Sequence, residues 1–191
     1  MASAVLIPVK AFSRAKLRLA PALDGSARAT LARTMAARVV AAAAPLPAAV
    51  VCDDEEVAEW AVGCGAEVVW ARGRGLNGAV AEGVARLGSM GFERVVVAHG
   101  DLPLARGLAG IAAGGGVTLV PDRREDGTNV AVVCPTYGFR FSYGLGSFER
   151  HCAEARRVGQ PLLVVRAPAL TWDVDCPADL DLPASPAPAC S

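Results

Sequence analysis

Three acidic residues occur where their carboxylates could bind a cation. Asp101 follows the apolar run Val95 to Ala98 in the segment His-Gly-Asp-Leu-Pro, and Asp173 and Asp175 lie two apart in Trp-Asp-Val-Asp-Cys-Pro. In extended backbone, residues two apart share a face, and two carboxylates on one face repel each other unless a cation or a basic partner lies between them. Because Mg²⁺ in phosphate-handling sites binds a few carboxylates, waters and substrate phosphates, the three acids predict a Mg²⁺ site.

Both acidic segments also have purely structural interpretations. Asp101 could cap a helix that starts near Pro103. Asp175 could cap a turn at Pro177, with Asp179 one turn behind it. The sequence alone leaves both alternatives open.

Basic residues cluster after the first apolar run. Lys10 and Lys16 are the two lysines of the chain, and Arg14 and Arg18 lie in the same loop. A lysine ammonium is a compact point charge that suits phosphate groups. We predict that this loop neutralises a polyphosphate, the alternative being a solvated basic loop.

Two loops in the second half of the chain carry polar residues next to glycine. The segment Glu-Asp-Gly-Thr-Asn at 125–129 is typical of a hairpin turn. In Tyr-Gly-Leu-Gly-Ser, Gly144 lets the backbone approach a ligand closely, and Ser147 opens a predicted helix whose free N–H groups would favour an anion. A plain helix cap is the alternative for Ser147, and His151 is expected to be packed or hydrogen-bonded rather than catalytic.

The elements that must position these residues alternate between strand and helix. Apolar runs predict strands at 4–9, 48–52, 66–70, 94–98, 116–122, 129–135 and 161–168, and helical spacing or capping predicts helices at 26–44, 53–65, 76–91 and 147–158. This alternation predicts one α/β domain over 1–182 with a mostly parallel sheet and helices on both faces. The proline- and alanine-rich segment 183–191 is expected to be a flexible tail. Ligands bind such sheets beyond the carboxyl ends of the strands.

The composition of the chain indicates which classes of binding partner and which cellular compartment to expect. The chain has 19 basic and 19 acidic residues, which argues against broad electrostatic capture of nucleic acid or of an anionic membrane. Its six cysteines form no Cys-x-x-Cys pair and it has two histidines, so a zinc site is not expected. With neither a signal segment nor a spanning segment in evidence, we expect reduced thiols and a cytoplasmic location.

Six segments taken together resemble one known family. The segments IPVKAFSRAKLRLA, LNGAV, HGDLPL, DGTN, YGLGSFERH and WDVDCPADL occur in this order between Val5 and about Leu180. They resemble the guanylyltransferases that activate 2-phospholactate or phosphoenolpyruvate in biosynthesis of the deazaflavin coenzyme F-420. Each motif is weak by itself, but six in register are fairly specific.

The resemblance implies a single-domain nucleotidyltransferase fold, Rossmann-like, with a mostly parallel mixed sheet. It implies transfer of GMP from GTP to the phosphate of a small phosphorylated carboxylic acid with release of pyrophosphate, phosphoenolpyruvate being favoured and 2-phospho-L-lactate next. By the same resemblance, Asp101, Asp173 and Asp175 would hold Mg²⁺, Lys10 and Lys16 would neutralise the triphosphate, Asn77 would help to bind the nucleotide, and Thr128, Gly144 and Ser147 would bind the acceptor.

One departure and several alternatives accompany this interpretation. Where many family members have Phe-Gly, this chain has Tyr143-Gly144, which leaves the glycine intact. The Gly-rich pattern GGxSxRMGxxK of sugar and molybdopterin nucleotidyltransferases is missing from the first loop. The alternatives are another nucleotidyltransferase of the same fold, of the cytidylyl or sugar-nucleotide type, and a non-catalytic nucleotide-binding domain. A homodimer and a downstream transferase of the F-420 pathway are the further partners to be considered.

Overall fold

A computed structural model describes residues 1–182 of the chain; residues 183–191, for which a flexible tail was predicted, lie outside the described residues. Seven strands form one sheet: β1 Ser3–Pro8, β2 Ala48–Cys52, β3 Glu67–Trp70, β4 Arg94–Ala98, β5 Val117–Pro121, β6 Thr128–Val133 and β7 Leu162–Val164. The helices are α1 Gly25–Ala42, α2 Glu55–Gly63, α3 Gly75–Ser89, α4 Leu108–Ile111, α5 Ser147–Arg157 and α6 Pro168–Thr171. Among residues 1–182, none of the helices combines the length and the apolar character that a membrane span requires.

The order of the strands in the sheet is β3-β2-β1-β4-β6-β5-β7. All neighbouring pairs are parallel except those of β6, which runs antiparallel to both β4 and β5. Ala98 at the end of β4 pairs with Val130 near the start of β6. The start of β6 therefore lies at the same edge of the sheet as the carboxyl ends of β1 and β4.

Helices cover both faces of the sheet, as predicted. Val5 and Ile7 of β1 pack against α1 and α2 on one face, and Leu6 between them packs against α3 on the other. This alternation follows from the two-residue period of a strand. Gly83 lets α3 approach β1 closely, because a Cβ at this position would lie 2.5 Å from a methyl group of Leu6.

Element boundaries differ from the predictions mainly near prolines. The predicted strand at 161–168 is shorter, spanning Leu162–Val164, and is followed by the short helix α6 that starts at Pro168. Proline has no N–H to donate to a strand ladder, but it fits the first turn of a helix. The predicted hairpin of the second half is confirmed as β5 and β6.

Candidate active site

The acidic segments meet at the carboxyl edge of the sheet. Asp101 lies three residues beyond the end of β4, and its backbone carbonyl accepts a hydrogen bond from the backbone N–H of Val174 at 3.3 Å. This contact places the segment that contains Asp173 and Asp175 against the loop after β4. Two carboxylate segments that are more than 70 residues apart in the sequence thus share one site.

Lys16 lies between two of the three carboxylates. Its Nζ is 2.6 Å from Oδ2 of Asp101 and 3.0 Å from Oδ1 of Asp175. The Lys16 backbone has a φ of 54°, in the left-handed region, between two short 3-10 turns at Phe12–Arg14 and Leu17–Leu19. The loop after β1 therefore carries this ammonium group into the site.

Burial and charge perturb the pKa values of these groups in opposite directions. Burial together with the charges of Asp101 and Asp175 raises the pKa of Asp173 to about 6. Burial would also raise the pKa of Asp101, but the Lys16 ammonium outweighs it and holds that pKa below its ordinary value. Burial would lower the pKa of Lys16, yet the two carboxylates raise it, so the ion pair is fully charged at neutral pH.

The donor set suits a hard divalent cation, although its present arrangement does not enclose one. Within residues 1–182, no group of three or more His, Cys, Asp or Glu side chains is arranged to hold a metal ion. The Oδ1 atoms of Asp101 and Asp173 are buried and have no hydrogen-bond partner among the described residues. Carboxylate oxygens without a hydrogen-bond partner are ligands that Mg²⁺ accepts. These residues fit the predicted ion in chemistry, with Lys16 now lying between two of them.

The helix-cap interpretations of the acids are wrong. The helix after Asp101 is α4, which begins only at Leu108 with Gly107 at its N-cap. The turn Pro177–Leu180 has Cys176 at its N-cap, and the carboxylate of Asp175 contacts Lys16 instead. The carboxylates of Asp101 and Asp175 therefore do not cap a helix or a turn.

The two loops of the second half are joined by side chains. The carboxylate of Asp122 accepts from the backbone N–H groups of residues 124, 126 and 127 and thereby fixes the turn before β6. Ser147 Oγ accepts from the backbone N–H of Thr128 at 3.1 Å. Ser147 is the first residue of α5, and Gly146 is the N-cap, so the plain-cap interpretation of Ser147 is wrong as well.

His151 fixes the hydroxyl group of Thr128. Its Nε2 accepts a hydrogen bond from the backbone N–H of Ser142 at 2.9 Å, and its Nδ1 lies 3.0 Å from Thr128 Oγ1. Because Nε2 is an acceptor, the ring proton is on Nδ1, which donates a hydrogen bond to Thr128 Oγ1. The hydroxyl hydrogen of Thr128 is therefore left for another acceptor. Burial lowers the pKa of His151 to about 4, which keeps the ring neutral. The expected packed and hydrogen-bonded role of His151 is confirmed.

The remaining predicted residues lie around this centre. Asn77, near the start of α3, accepts from the backbone N–H of Tyr143 at 2.7 Å and so fixes the residue before Gly144. Gly144 has a φ of 121° and is exposed. Lys10 is exposed beyond the end of β1 and makes no ion pair with the described residues.

Asp179 was not predicted as a site residue, yet it positions the Asp-x-Asp segment. This carboxylate is 0% exposed and accepts from the backbone N–H groups of Asp175 and Cys176, each at 2.8 Å. It also pairs with Arg123 and Arg124, which lie in the turn before β6. Burial alone would raise the pKa of Asp179, but these donors hold it well below the usual range. One carboxylate therefore connects the Asp173–Asp175 segment to the turn that carries Thr128.

Replacing Asp179 with asparagine is expected to destabilise the protein by about 2–4 kcal/mol, because two arginines lose their buried charge partner. Turnover is expected to fall about tenfold, since the segment that carries Asp173 and Asp175 is no longer held. Denaturant unfolding and steady-state rates measure both effects. Asp181→Asn, an exposed acid two residues later, serves as the control and should change neither; equal behaviour of the two variants would contradict the positioning role.

Comparison with known proteins gives consistent matches over nearly the whole chain. A family model described as "Guanylyl transferase CofC like" matches residues 3–182. The phosphoenolpyruvate guanylyltransferase of Sphaerobacter thermophilus is 34% identical, with 98% of this chain and 95% of that protein covered. The 2-phospho-L-lactate guanylyltransferase of Methanothermobacter thermautotrophicus is 31% identical, with 94% and 83% covered.

Solved structures share the fold at low sequence identity. A nucleotidyl transferase from Methanothermobacter thermautotrophicus superposes with a TM-score of 0.65 and 17% identity, covering 94% of each chain. A cytidylyltransferase from Leptospira borgpetersenii gives a TM-score of 0.62 and 12% identity, covering 95% of this chain and 84% of the other. These likenesses establish the nucleotidyltransferase fold that was predicted.

Proposed function

We propose that this chain, which belongs to the guanylyl transferase CofC-like family, transfers GMP from GTP to the phosphate of a small phosphorylated carboxylic acid in coenzyme F-420 biosynthesis. Phosphoenolpyruvate is the favoured acceptor, as in the name of the Sphaerobacter relative, and 2-phospho-L-lactate is the next. The observation that carries the proposal is the meeting of Lys16, Asp101 and Asp175 at the edge of the sheet that also carries Thr128.

The reaction needs positioning rather than a general base. An oxygen of the acceptor phosphate attacks the α-phosphorus of GTP, a new P–O bond forms, and the bond to the β-phosphate breaks as pyrophosphate leaves with the electron pair. Phosphate is already a nucleophile at neutral pH, so no proton needs to be removed. Catalysis then depends on charge placement and alignment.

The residues divide this work between the two substrates. Asp101, Asp173 and Asp175 would hold Mg²⁺, which when bound neutralises phosphate charge that develops in the transition state. Lys10 and Lys16 would supply further positive charge to the triphosphate. Both lysines lie in the loop after β1, at the same edge as the carboxylates. Asn77 would contribute to nucleotide binding from the start of α3.

The acceptor carboxylate would bind at the two joined loops. The hydroxyl hydrogen of Thr128 is available because His151 donates to its oxygen. The exposed backbone N–H of Gly144 makes no hydrogen bond with the described residues, so it can donate to a carboxylate. The first two backbone N–H groups of α5 are already used, as Ser147 donates to the carbonyl of Gly144 and Phe148 to that of Asp126. Ser147 therefore acts chiefly by holding Thr128 in place.

Replacing Ser147 with alanine is expected to raise the KM for the acceptor about tenfold, because Thr128 loses the bond that fixes it. The KM for GTP should change little, since Ser147 lies in the acceptor loops. Steady-state kinetics with each substrate varied in turn measures this split. Ser89→Ala, at the exposed end of α3, is the matched control. An unchanged acceptor KM would remove Ser147 from the acceptor site.

Pyrophosphate release from purified protein and Mg²⁺ tests the proposed activity. Each of GTP, CTP, UTP and ATP is offered with phosphoenolpyruvate, 2-phospho-L-lactate or 3-phosphoglycerate. We expect release that requires both GTP and one acceptor. Equal release with CTP would favour the cytidylyl alternative, and nucleotide binding without release under any pair would favour a non-catalytic domain.

A cytoplasmic location, a homodimer and action beside a downstream transferase of the F-420 pathway belong to the same proposal. The cysteines among residues 1–182 are all free thiols, which suits a reducing compartment. The edge strand β7 carries Leu163, about half exposed, at a border of the sheet where a second copy could pair.

A further inference from the structure

The ammonium group of Lys16 lies where a cation shared by Asp101 and Asp175 would lie. Its Nζ contacts one oxygen of each carboxylate, at 2.6 Å and 3.0 Å, and the side chain is only 12% exposed. Mg²⁺ binds carboxylate oxygens at about 2.0–2.1 Å. An ion bound by these two oxygens would therefore need the space that the ammonium now occupies.

The charges around the site favour either the Lys16 ammonium or a divalent ion between the carboxylates, rather than both together. Lys16 joins two of the carboxylates, while the Oδ1 atoms of Asp101 and Asp173 are buried and have no hydrogen-bond partner within residues 1–182. Asp101 and Asp175 share the one ammonium group of Lys16, and these three groups carry a net negative charge that attracts a divalent ion. The same ammonium repels that ion at close range and occupies its ligands. The exposed side chain of Arg18 also lies 3.8 Å from Asp175.

We propose that Lys16 is the resident counter-ion of the carboxylates and that Mg²⁺ displaces its ammonium, which then becomes available to the nucleotide phosphates. The inference rests on the Mg²⁺ site of the proposed function. The four-carbon stem of lysine lets the ammonium move without a change in the backbone. Mg²⁺ and nucleotide binding are then coupled, because phosphates stabilise the displaced position of the ammonium.

The reactivity of the two lysines reports this exchange in the wild-type protein. Lys10 is exposed and Lys16 is ion-paired, and the chain has no other lysine. Under limited acetylation, read by mass spectrometry, Lys16 should be protected without Mg²⁺. Saturating Mg²⁺ should increase the rate of Lys16 acetylation about tenfold, which corresponds to the loss of roughly 1.4 kcal/mol of stabilisation from the ion pairs. The rate of Lys10 is the internal reference and should stay the same.

Calorimetric titration with Mg²⁺ alone tests the same exchange through the metal. The variant Lys16→Met should bind Mg²⁺ about tenfold more tightly than the wild type, because the competing ammonium is gone. The control Arg18→Met removes an exposed charge near Asp175 without opening the site, and its affinity should stay close to that of the wild type. If Lys16→Met does not fold, as judged by circular dichroism, the acetylation of the wild type decides whether Mg²⁺ displaces the Lys16 ammonium.

The possible outcomes separate this inference from the proposed function. If Mg²⁺ binds but Lys16 stays protected, or if Lys16→Met binds Mg²⁺ no more tightly than the wild type, the exchange is wrong and the metal site stands. If neither protein binds Mg²⁺, the metal site itself is wrong and the exchange fails with it. Tighter binding in Lys16→Met together with Mg²⁺-dependent acetylation of Lys16 supports the exchange.

Discussion

Replacing Asp101 with asparagine is expected to lower guanylyl transfer by about three orders of magnitude, the scale of losing a charged group that supports a metal ion and a transition state. The carboxylate follows the central strand β4 and contacts Lys16 at 2.6 Å, while its other oxygen has no described partner. Asparagine keeps the size of the side chain but cannot supply the negative charge. Steady-state turnover with GTP and the best acceptor measures the loss.

The same variant should remain folded, which separates chemistry from stability. The backbone contact of Asp101 with Val174 does not involve the side chain and is retained. Asp53→Asn, an exposed acid directly after β2, is the control and should keep full turnover. An Asp101→Asn protein with turnover near that of the wild type would remove Asp101 from the catalytic centre.

Replacing Asp173 with asparagine is expected to abolish most activity and, in metal-free buffer, to make the protein more stable at neutral pH. Burial and two neighbouring carboxylates raise the pKa of Asp173 from 3.8 to about 6. When folding raises the pKa of a carboxyl group, its contribution to the free energy of unfolding is fully present below the pKa it has in the unfolded chain. This contribution is lost as the pH rises through the pKa that the group has in the folded protein. Above about pH 6 the charged side chain therefore opposes folding, and asparagine cannot ionise.

The sign of this effect gives a test that depends on pH. At pH 8 with a chelator, Asp173→Asn should exceed the wild type in free energy of unfolding by about 2–3 kcal/mol. Below pH 4 the difference should vanish, because both side chains are then neutral. Urea unfolding at both pH values measures it, and Asp181→Asn should show no such difference. A wild type as stable as Asp173→Asn at pH 8 would show that the charge of Asp173 is already compensated.

Local patterns in the sequence were enough to predict the scaffold. The strands β2 and β4 occur at the predicted residues, because continuous runs of valine and alanine between polar segments fit buried strands. The carboxyl-edge rule then placed Asp101 and the loop after β1 at one end of the sheet. The antiparallel direction of β6 follows from the short turn at 122–127, which can join only a hairpin.

Pairings between distant segments could not be predicted in this way. The contacts of Lys16 with Asp101 and Asp175 span 85 and 159 residues, and that of Arg123 with Asp179 spans 56. Residue spacing constrains neighbours along one element but not which loops meet in space. For the same reason the sequence could not exclude a plain helix cap as the alternative role of Ser147, whereas its hydroxyl group accepts a hydrogen bond from the backbone N–H of Thr128 across two loops.

The most direct test of the central claim follows the α-phosphate of GTP. The protein is incubated with Mg²⁺, [α-³²P]GTP and phosphoenolpyruvate, and the labelled species are separated by chromatography. Transfer predicts label in a new guanosine species that resists phosphatase until its diphosphate link is cleaved, and that is absent without the acceptor. Label confined to GTP, GDP and GMP, from protein shown to be folded and with 2-phospho-L-lactate tried as well, would contradict guanylyl transfer to these acceptors.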